Sequence, residues 1–362
     1  MKILSQPTQN VTVEDHVTVF VSIELSRKAW LIGIHTPLAH KIGLHKLEAG
    51  DSAGLLALIN RLTERVERST GTPVKVLSCY EAGYDGFWLH RILDEAGVVS
   101  HVIDPASMQV NRRARRAKTD RIDAIGMLRA LMAFNRGEDQ VFSVVRVPSV
   151  EEEDARRVHR ERERLIAERI QHVNRITGLL ATQGIYDYEP MRQKRIDRFN
   201  ALKTATGTAI PRHLRDELMR HLQRLDLVLE MIRACEKERD RVVEAEAAVN
   251  ESARKIQNLV AMRAIGPQLA TVLVGEVFHK TFANRRQLAS YAGLTPSPFN
   301  SGSVVREQGI SKAGNPRART AMIEMAWLWL RYQPDSVLSH WFRERAGAGS
   351  GRIRRITIVA LA

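Results

Sequence analysis

The chain has 362 residues, with 55 Lys and Arg against 41 Asp and Glu, giving a formal net charge of +14. A single core stops growing near about 250–300 residues, so two or more domains are expected. With 44% hydrophobic and 27% charged residues, the composition excludes a disordered basic tail and leaves a folded protein suited to an anionic partner.

Three further classes fall away. The longest apolar stretches, Leu55 to Ile59 and Ala321 to Leu330, are far short of the roughly 20 residues of a membrane span. The first fifteen residues have no apolar core followed by a small-residue cleavage site, which argues against secretion. Cys79 and Cys235 are the only cysteines, too few for a disulfide framework or a zinc site, and a reducing cytoplasm is the expected location.

His16 to Leu25 alternates β-branched and polar residues, and Ala29 to His35 and Lys41 to Leu47 repeat the pattern, predicting a strand meander. Asp51 is placed to cap a helix over 53–67 with Leu55, Leu56, Ile59 and Leu62 on one face. Val74 to Tyr80 reads as a buried strand, followed by a helix over 84–96, a strand from Val98 to Ile103 and a helix from about Thr119 to Phe134. Three strands followed by alternating helices and strands describe an RNase H-like α/β fold over residues 1–145.

Charge-dense helical sequence begins at Ser149, with Gly184 as a stop. A second long helical segment is expected from about Pro211 to Ile256, its stripe marked by Leu214, Leu218, Leu222, Leu225, Leu227 and Leu229. Two such amphipathic helices suggest an antiparallel hairpin or an intermolecular coiled coil over residues 146–257. The remainder, 258–362, is expected to be mainly helical. Its Ile265-Gly266-Pro267 turn between two helical stretches suits a helix-hairpin-helix, in which a helix N-terminus meets a phosphate.

Four acidic residues then stand out. Glu24 closes the first expected strand, Glu81 closes the fourth, and Asp120 and Asp123 share one face at the start of a helix. Carboxylates so arranged offer the oxygen ligands that Mg²⁺ or Mn²⁺ prefers, and a metal pair supports phosphodiester chemistry. Arg112, Arg113, Arg115, Arg116, Lys118 and Arg121 crowd beside them. A basic cluster abutting a carboxylate site draws in a phosphate backbone, so nucleic acid is the expected anion.

Ser22 to Lys28, Tyr80 to Gly83 and above all Arg115 to Ala124 resemble the RuvC-like domain of the DEDD insertion-sequence transposases, also called bridge-RNA-guided recombinases. Glu24 stands where that family usually has aspartate. Phe282 to Pro296, Asn300 to Ser303 and Ile310 to Thr320 resemble its C-terminal transposase domain, whose nucleophilic serine maps to Ser301; Ser297 and Ser303 are the alternatives. The resemblance implies a DNA recombinase acting through a covalent phosphoserine, with the metal site completing the centre around Ser301. It further implies a structured guide RNA, a dimer or tetramer, and a bacterial, nucleoid-associated setting. Lys312, Arg317 and Arg319 become candidate phosphate contacts. Family members usually continue beyond the apolar run at 356–362, so a shortened chain is expected. The rival readings are a junction nuclease that uses water, with Ser301 passive, and an inactive nucleic-acid-binding relic.

Overall fold

The computed structural model describes residues 16–108, 119–301, 304–347 and 349–362, and the chain divides into two compact units, Met1–Pro148 and Ser149–Ala362. Among the described residues no helix is long and apolar enough to cross a membrane.

In the first unit β1 (Val17–Glu24), β2 (Ala29–His35) and β3 (Gly43–Glu48) form the expected antiparallel meander. Helix α1 (Ser52–Thr70) starts where Asp51 Oδ1 accepts the Gly54 N–H at 2.8 Å, and ends at Gly71 in the left-handed conformation. Strand β4 (Val74–Glu81) lies parallel to β1, and β5 (Val99–Ile103) parallel to β4, giving the order β3-β2-β1-β4-β5. Helix α2 (Trp88–Glu95) is shorter than expected: Gly86 takes φ +73°, and the preceding residues form turns. Helix α3 (Asp120–Asn135) completes the unit. The mixed five-stranded sheet is consistent with the RNase H-like expectation.

Alternation along the strands divides the core in two. Val19, Val21 and Ile23 of β1 and Val76 and Tyr80 of β4 pack with Leu55 and Ile59 of α1 and Leu89 and Leu93 of α2. Phe20 of β1 and Leu77 and Cys79 of β4 instead join Met127 and Leu131 of α3.

The second unit begins with α4 (Val150–Ala181), opened by a capping box between Ser149 and Glu152. After the short α5 (Arg195–Asn200) comes α6 (Arg212–Glu246). Helices α4 and α6 run antiparallel, joined by the ion pairs Arg162–Glu236 and Arg175–Glu217, both at 2.7 Å. Leu218, Leu222, Leu225 and Leu229 bury their stripe against Ile176 and Leu180 of the same chain. Leu227, expected in that stripe, is 52% exposed, since it falls outside the i, i+3, i+4 spacing. In the segment that joins the two helices, Arg192, Lys194 and Arg198 line an open cleft.

The second long segment is also not one helix. Asn250 Oδ1 accepts the N–H groups of Ser252 and Ala253 and starts a separate α7 (Glu251–Val260). Helix α8 (Pro267–Glu276) follows, with Gly266 at its cap and Pro267 in its first turn, and packs on α7 through Ile256, Leu269 and Leu273. Then come α9 (Arg285–Tyr291), a hairpin of β6 (Pro296–Ser301) and β7 (Val304–Ile310), and α10 (Pro316–Tyr332), α11 (Val337–Ala346) and α12 (Gly351–Leu361). The sequence reading did not anticipate the hairpin, whose strands are short and whose first strand carries Pro296 and Pro298.

A buried carboxylate ties α4 and α8 to the segments flanking that hairpin. Glu276, only 2% exposed, accepts from His159 Nε2 at 2.9 Å, Arg160 Nε at 2.8 Å and Asn315 Nδ2 at 3.0 Å. The Tyr291 hydroxyl donates to the Glu276 carbonyl at 2.8 Å. Asn315 also caps α10, its Oδ1 accepting from Arg317 N and Ala318 N. Below the hairpin the two flanking segments lie backbone to backbone: Lys312 N donates to Gly293 O and Asn315 N to Tyr291 O. Gly293 at φ +66° and Gly314 at φ +97° leave no room for a side chain, since a Cβ on Gly314 would run into the Tyr291 carbonyl.

Burial alone would raise the Glu276 pKa, but its hydrogen bonds and the Arg160 charge outweigh that and hold it far below the usual carboxylate range. A depressed native pKa adds stability that is fully present above the ordinary value near 4.5 and is lost as the pH falls below it. Urea unfolding followed by tryptophan emission is expected to show Glu276→Gln destabilised by about 3 kcal/mol at pH 7, with a flatter acid limb than the wild type. A Gln variant with an unchanged acid limb would contradict the assignment. Gly314→Ala is expected to cost about 2–4 kcal/mol. Gly309→Ala, at φ +86° with nothing within 4 Å of the added Cβ, is expected to cost about 1 kcal/mol in the same assay.

Candidate active site

Glu24 and Glu81 end neighbouring parallel strands whose pairing runs Ser22 with Cys79 and Ile23 with Tyr80. The next positions in that register are the two glutamates, so they finish β1 and β4 side by side. Side chains alternate along a strand, placing Glu24 on the same face as Ser22 and Glu81 on the same face as Cys79.

That face carries α3. The Ser22 hydroxyl donates to the Ala124 carbonyl at 2.7 Å, and the Cys79 thiol lies 3.7 Å from the Met127 carbonyl. On β2, Gly33 leaves the space that the Ser22 hydroxyl occupies, and a Cβ there would come within 3.5 Å of Ala124 O. The helix is therefore seated on the sheet one residue after Asp123. Its first turn, opened by the Thr119 hydroxyl accepting from Ile122 N at 3.3 Å, holds Asp120 and Asp123 toward the strand ends that carry the glutamates. Glu24, Glu81 and Asp123 are half-buried and Asp120 is exposed.

Electrostatics suit this placement. Acidic residues in a first helical turn face the positive end of the helix dipole. Burial, with the neighbouring Glu81 charge, pushes the Cys79 thiol well above its ordinary pKa, so the floor of the site is a neutral thiol. The donors are all carboxylate oxygens, the chemistry that hard divalent ions select. Among the described residues no three His, Cys, Asp or Glu side chains stand close enough to hold a metal ion. The four acids thus share an end of the fold without forming a closed cage.

Of the expected nucleic-acid contacts in this unit, Arg121 is exposed on the first turn of α3. Arg112, Arg113, Arg115, Arg116 and Lys118 lie outside the described residues.

In the second unit Ser301 is the last residue of β6 and pairs with Val304. It ends a strand at the head of the hairpin, and Gly302 and Ser303 lie outside the described residues. Ser297 is half-buried, at the irregularity between Pro296 and Pro298. Lys312 is exposed with φ +56°. Arg317 is paired with Glu163 at 2.6 Å, and Arg319 donates to the Ala292 carbonyl at 3.1 Å. Both arginines therefore have partners within their own unit.

Ser22, Gly33 and Cys79 position the carboxylates, and Glu276, His159, Tyr291 and Asn315 brace the segment carrying Ser301; sequence reasoning singled out none of these for such a role. Asn315 before Pro316 is a readable helix-start signal. The Glu276 contacts cross 117 residues to His159 and 39 to Asn315, and no local pattern reveals them.

Comparison with known proteins identifies the family. Residues 256–340 match a family model described as Transposase IS116/IS110/IS902 family, and residues 40–184 match a DEDD transposase model of the IS110 type. The chain is 47% identical to "Putative transposase y4rJ" of Sinorhizobium fredii, over 95% of this chain and 89% of that protein. It is 27% identical to "Transposase for insertion sequence element IS1111A" of Coxiella burnetii, over 75% of this chain and 71% of that protein. With a carboxylate-bearing sheet in one unit, a matching helical second unit and a relative this similar over nearly its whole length, the chain belongs to the IS116/IS110/IS902 family of DEDD transposases.

Proposed function

We propose that this transposase cuts and rejoins DNA with Ser301 as the nucleophile and with Glu24, Glu81, Asp120 and Asp123 as ligands of Mg²⁺ or Mn²⁺. The observation that carries the reading is the side-by-side ending of β1 and β4 beneath the first turn of α3. When bound, divalent ions supply charge stabilisation at the attacking and leaving oxygens.

The chain's own residues supply the remainder. The Ser301 oxygen attacks phosphorus, its proton passes to a base, and the departing strand keeps the displaced oxygen, leaving a phosphoserine ester that a second strand end resolves. Arg121 and Lys312, both exposed, hold the phosphate backbone, joined by Arg112, Arg113, Arg115, Arg116 and Lys118 as candidate contacts. Arg317 and Arg319 fix the segment next to the hairpin and reach DNA only if they exchange their present partners. Site choice by a structured guide RNA and assembly as a dimer or tetramer extend the reading, supported by the resemblance of the motifs.

Strand cleavage of element-end DNA in Mg²⁺ is expected to fall more than a hundredfold in Asp120→Ala and Asp123→Ala. Ser301→Ala is expected to abolish the covalent protein–DNA adduct trapped by denaturing electrophoresis. Wild-type cleavage without any adduct would make the protein a water-using nuclease, and adduct formation by Ser301→Ala would move the nucleophile elsewhere. Arg121→Ala is expected to lower the slope of log affinity against log salt by about one phosphate contact, read by anisotropy on duplex DNA.

A further inference from the structure

Helices α10, α11 and α12 hold together through Ala326, Phe342, Ala346 and Ile358. That cluster leaves two tryptophans outside: Trp327 is 41% exposed and Trp341 37%, beside Leu338 at 49%. Surface tryptophan is unusual, because a large ring left in water forfeits the burial that normally places it inside.

Both rings lie beside the contact between α10 and α11. Trp327 of α10 meets Phe342 of α11 edge-on, with centroids 6.1 Å apart, and Trp341 is the neighbour of Phe342 in sequence. On α11, Leu338, Trp341 and Arg345 fall at i, i+3 and i+7 and share a face; on α10, Trp327 and Arg331 fall at i and i+4. Each tryptophan is therefore followed one turn later by an exposed arginine. The Arg331 guanidinium lies over the neighbouring Tyr332 ring, 5.5 Å from its centroid. From residue 316 to the end the sequence has eight arginines against three acids.

We infer that this face of α10 and α11 is a stacking platform for unpaired bases of the DNA on which the transposase acts. Aromatic rings accept any base by its π face, and an arginine beside each ring takes the adjoining phosphate. Glu324 and Glu344, each three residues from one of these tryptophans, keep the face from being uniformly cationic. It suits ring stacking better than the purely electrostatic grip of a duplex. The inference is independent of Ser301 and of the carboxylates.

The test is binding of the full-length protein to fluorescein-labelled oligothymidylate, to a hairpin duplex and to oligouridylate, in EDTA so that cleavage chemistry is absent. Oligothymidylate is expected to quench tryptophan emission. Trp327→Ala and Trp341→Ala are each expected to weaken its binding about tenfold while leaving duplex binding within about twofold. Trp341→Phe, which keeps a π face, is expected to retain most of the affinity. Arg331→Ala with Arg345→Ala changes only exposed groups and is expected to weaken oligothymidylate at least threefold, which keeps the test decisive if an alanine variant at tryptophan unfolds. Unchanged single-strand affinity in these variants would overturn the platform, as would equal losses on duplex and single strand. Tryptophan-dependent binding of oligouridylate alone would reassign it to RNA, and tryptophan-dependent self-association in sedimentation would reassign it to a protein contact.

Discussion

The hydrogen bond from the Ser22 hydroxyl to the Ala124 carbonyl fixes the height and register of α3 over the sheet. A helix lying on a sheet is ordinarily held by apolar contacts that tolerate small slides. A buried hydroxyl directed at one carbonyl is less forgiving, because a slip leaves it unsatisfied where no water can reach. Gly33 matters for the same reason: its missing side chain leaves the hydroxyl its place. Everything proposed for Asp120 and Asp123 depends on this seat, since both aspartates lie within four residues of Ala124.

The second unit solves a comparable problem with charge. A short hairpin has little core of its own and is marginal alone, so the position of Ser301 is set by what grips the hairpin at its base. Gly293 and Gly314 let the flanking segments touch backbone to backbone, and Asn315 links that contact to Glu276. Glu276 in turn takes His159 and Arg160 from α4, so the serine strand is referenced to a 32-residue helix of its unit. One buried residue thereby joins α4, α8, α9 and α10.

Much of the first unit was legible because its strands alternate cleanly and its helices carry caps: Asp51 and Thr119 start α1 and α3 through local contacts a few residues away. The carboxylates could be named because strand ends and a first helical turn are positions that periodicity defines. Their closeness could not, since it depends on the pairing of β1 with β4 across more than fifty residues. The end of α6 is hard to read because Asn250, the cap of α7, sits inside an otherwise helix-favouring run, and Leu227 has the residue type of the buried stripe without its spacing. The β6–β7 hairpin was missed because its prolines disguise the strand pattern, and the Glu276 brace because its partners have no sequence relation to one another.

The antiparallel hairpin of α4 and α6 covers its own leucine stripe, and its rigidity has a metric consequence. From His159, anchored on Glu276, to the end of α4 at Ala181 the helix rises about 1.5 Å per residue, roughly 33 Å in all. The cationic cleft of Arg192, Lys194 and Arg198 does not mark that far end: Arg195, between them in sequence, pairs with Asp226 midway along α6, so the joining segment folds back and lays its charge along the flank of the helical hairpin.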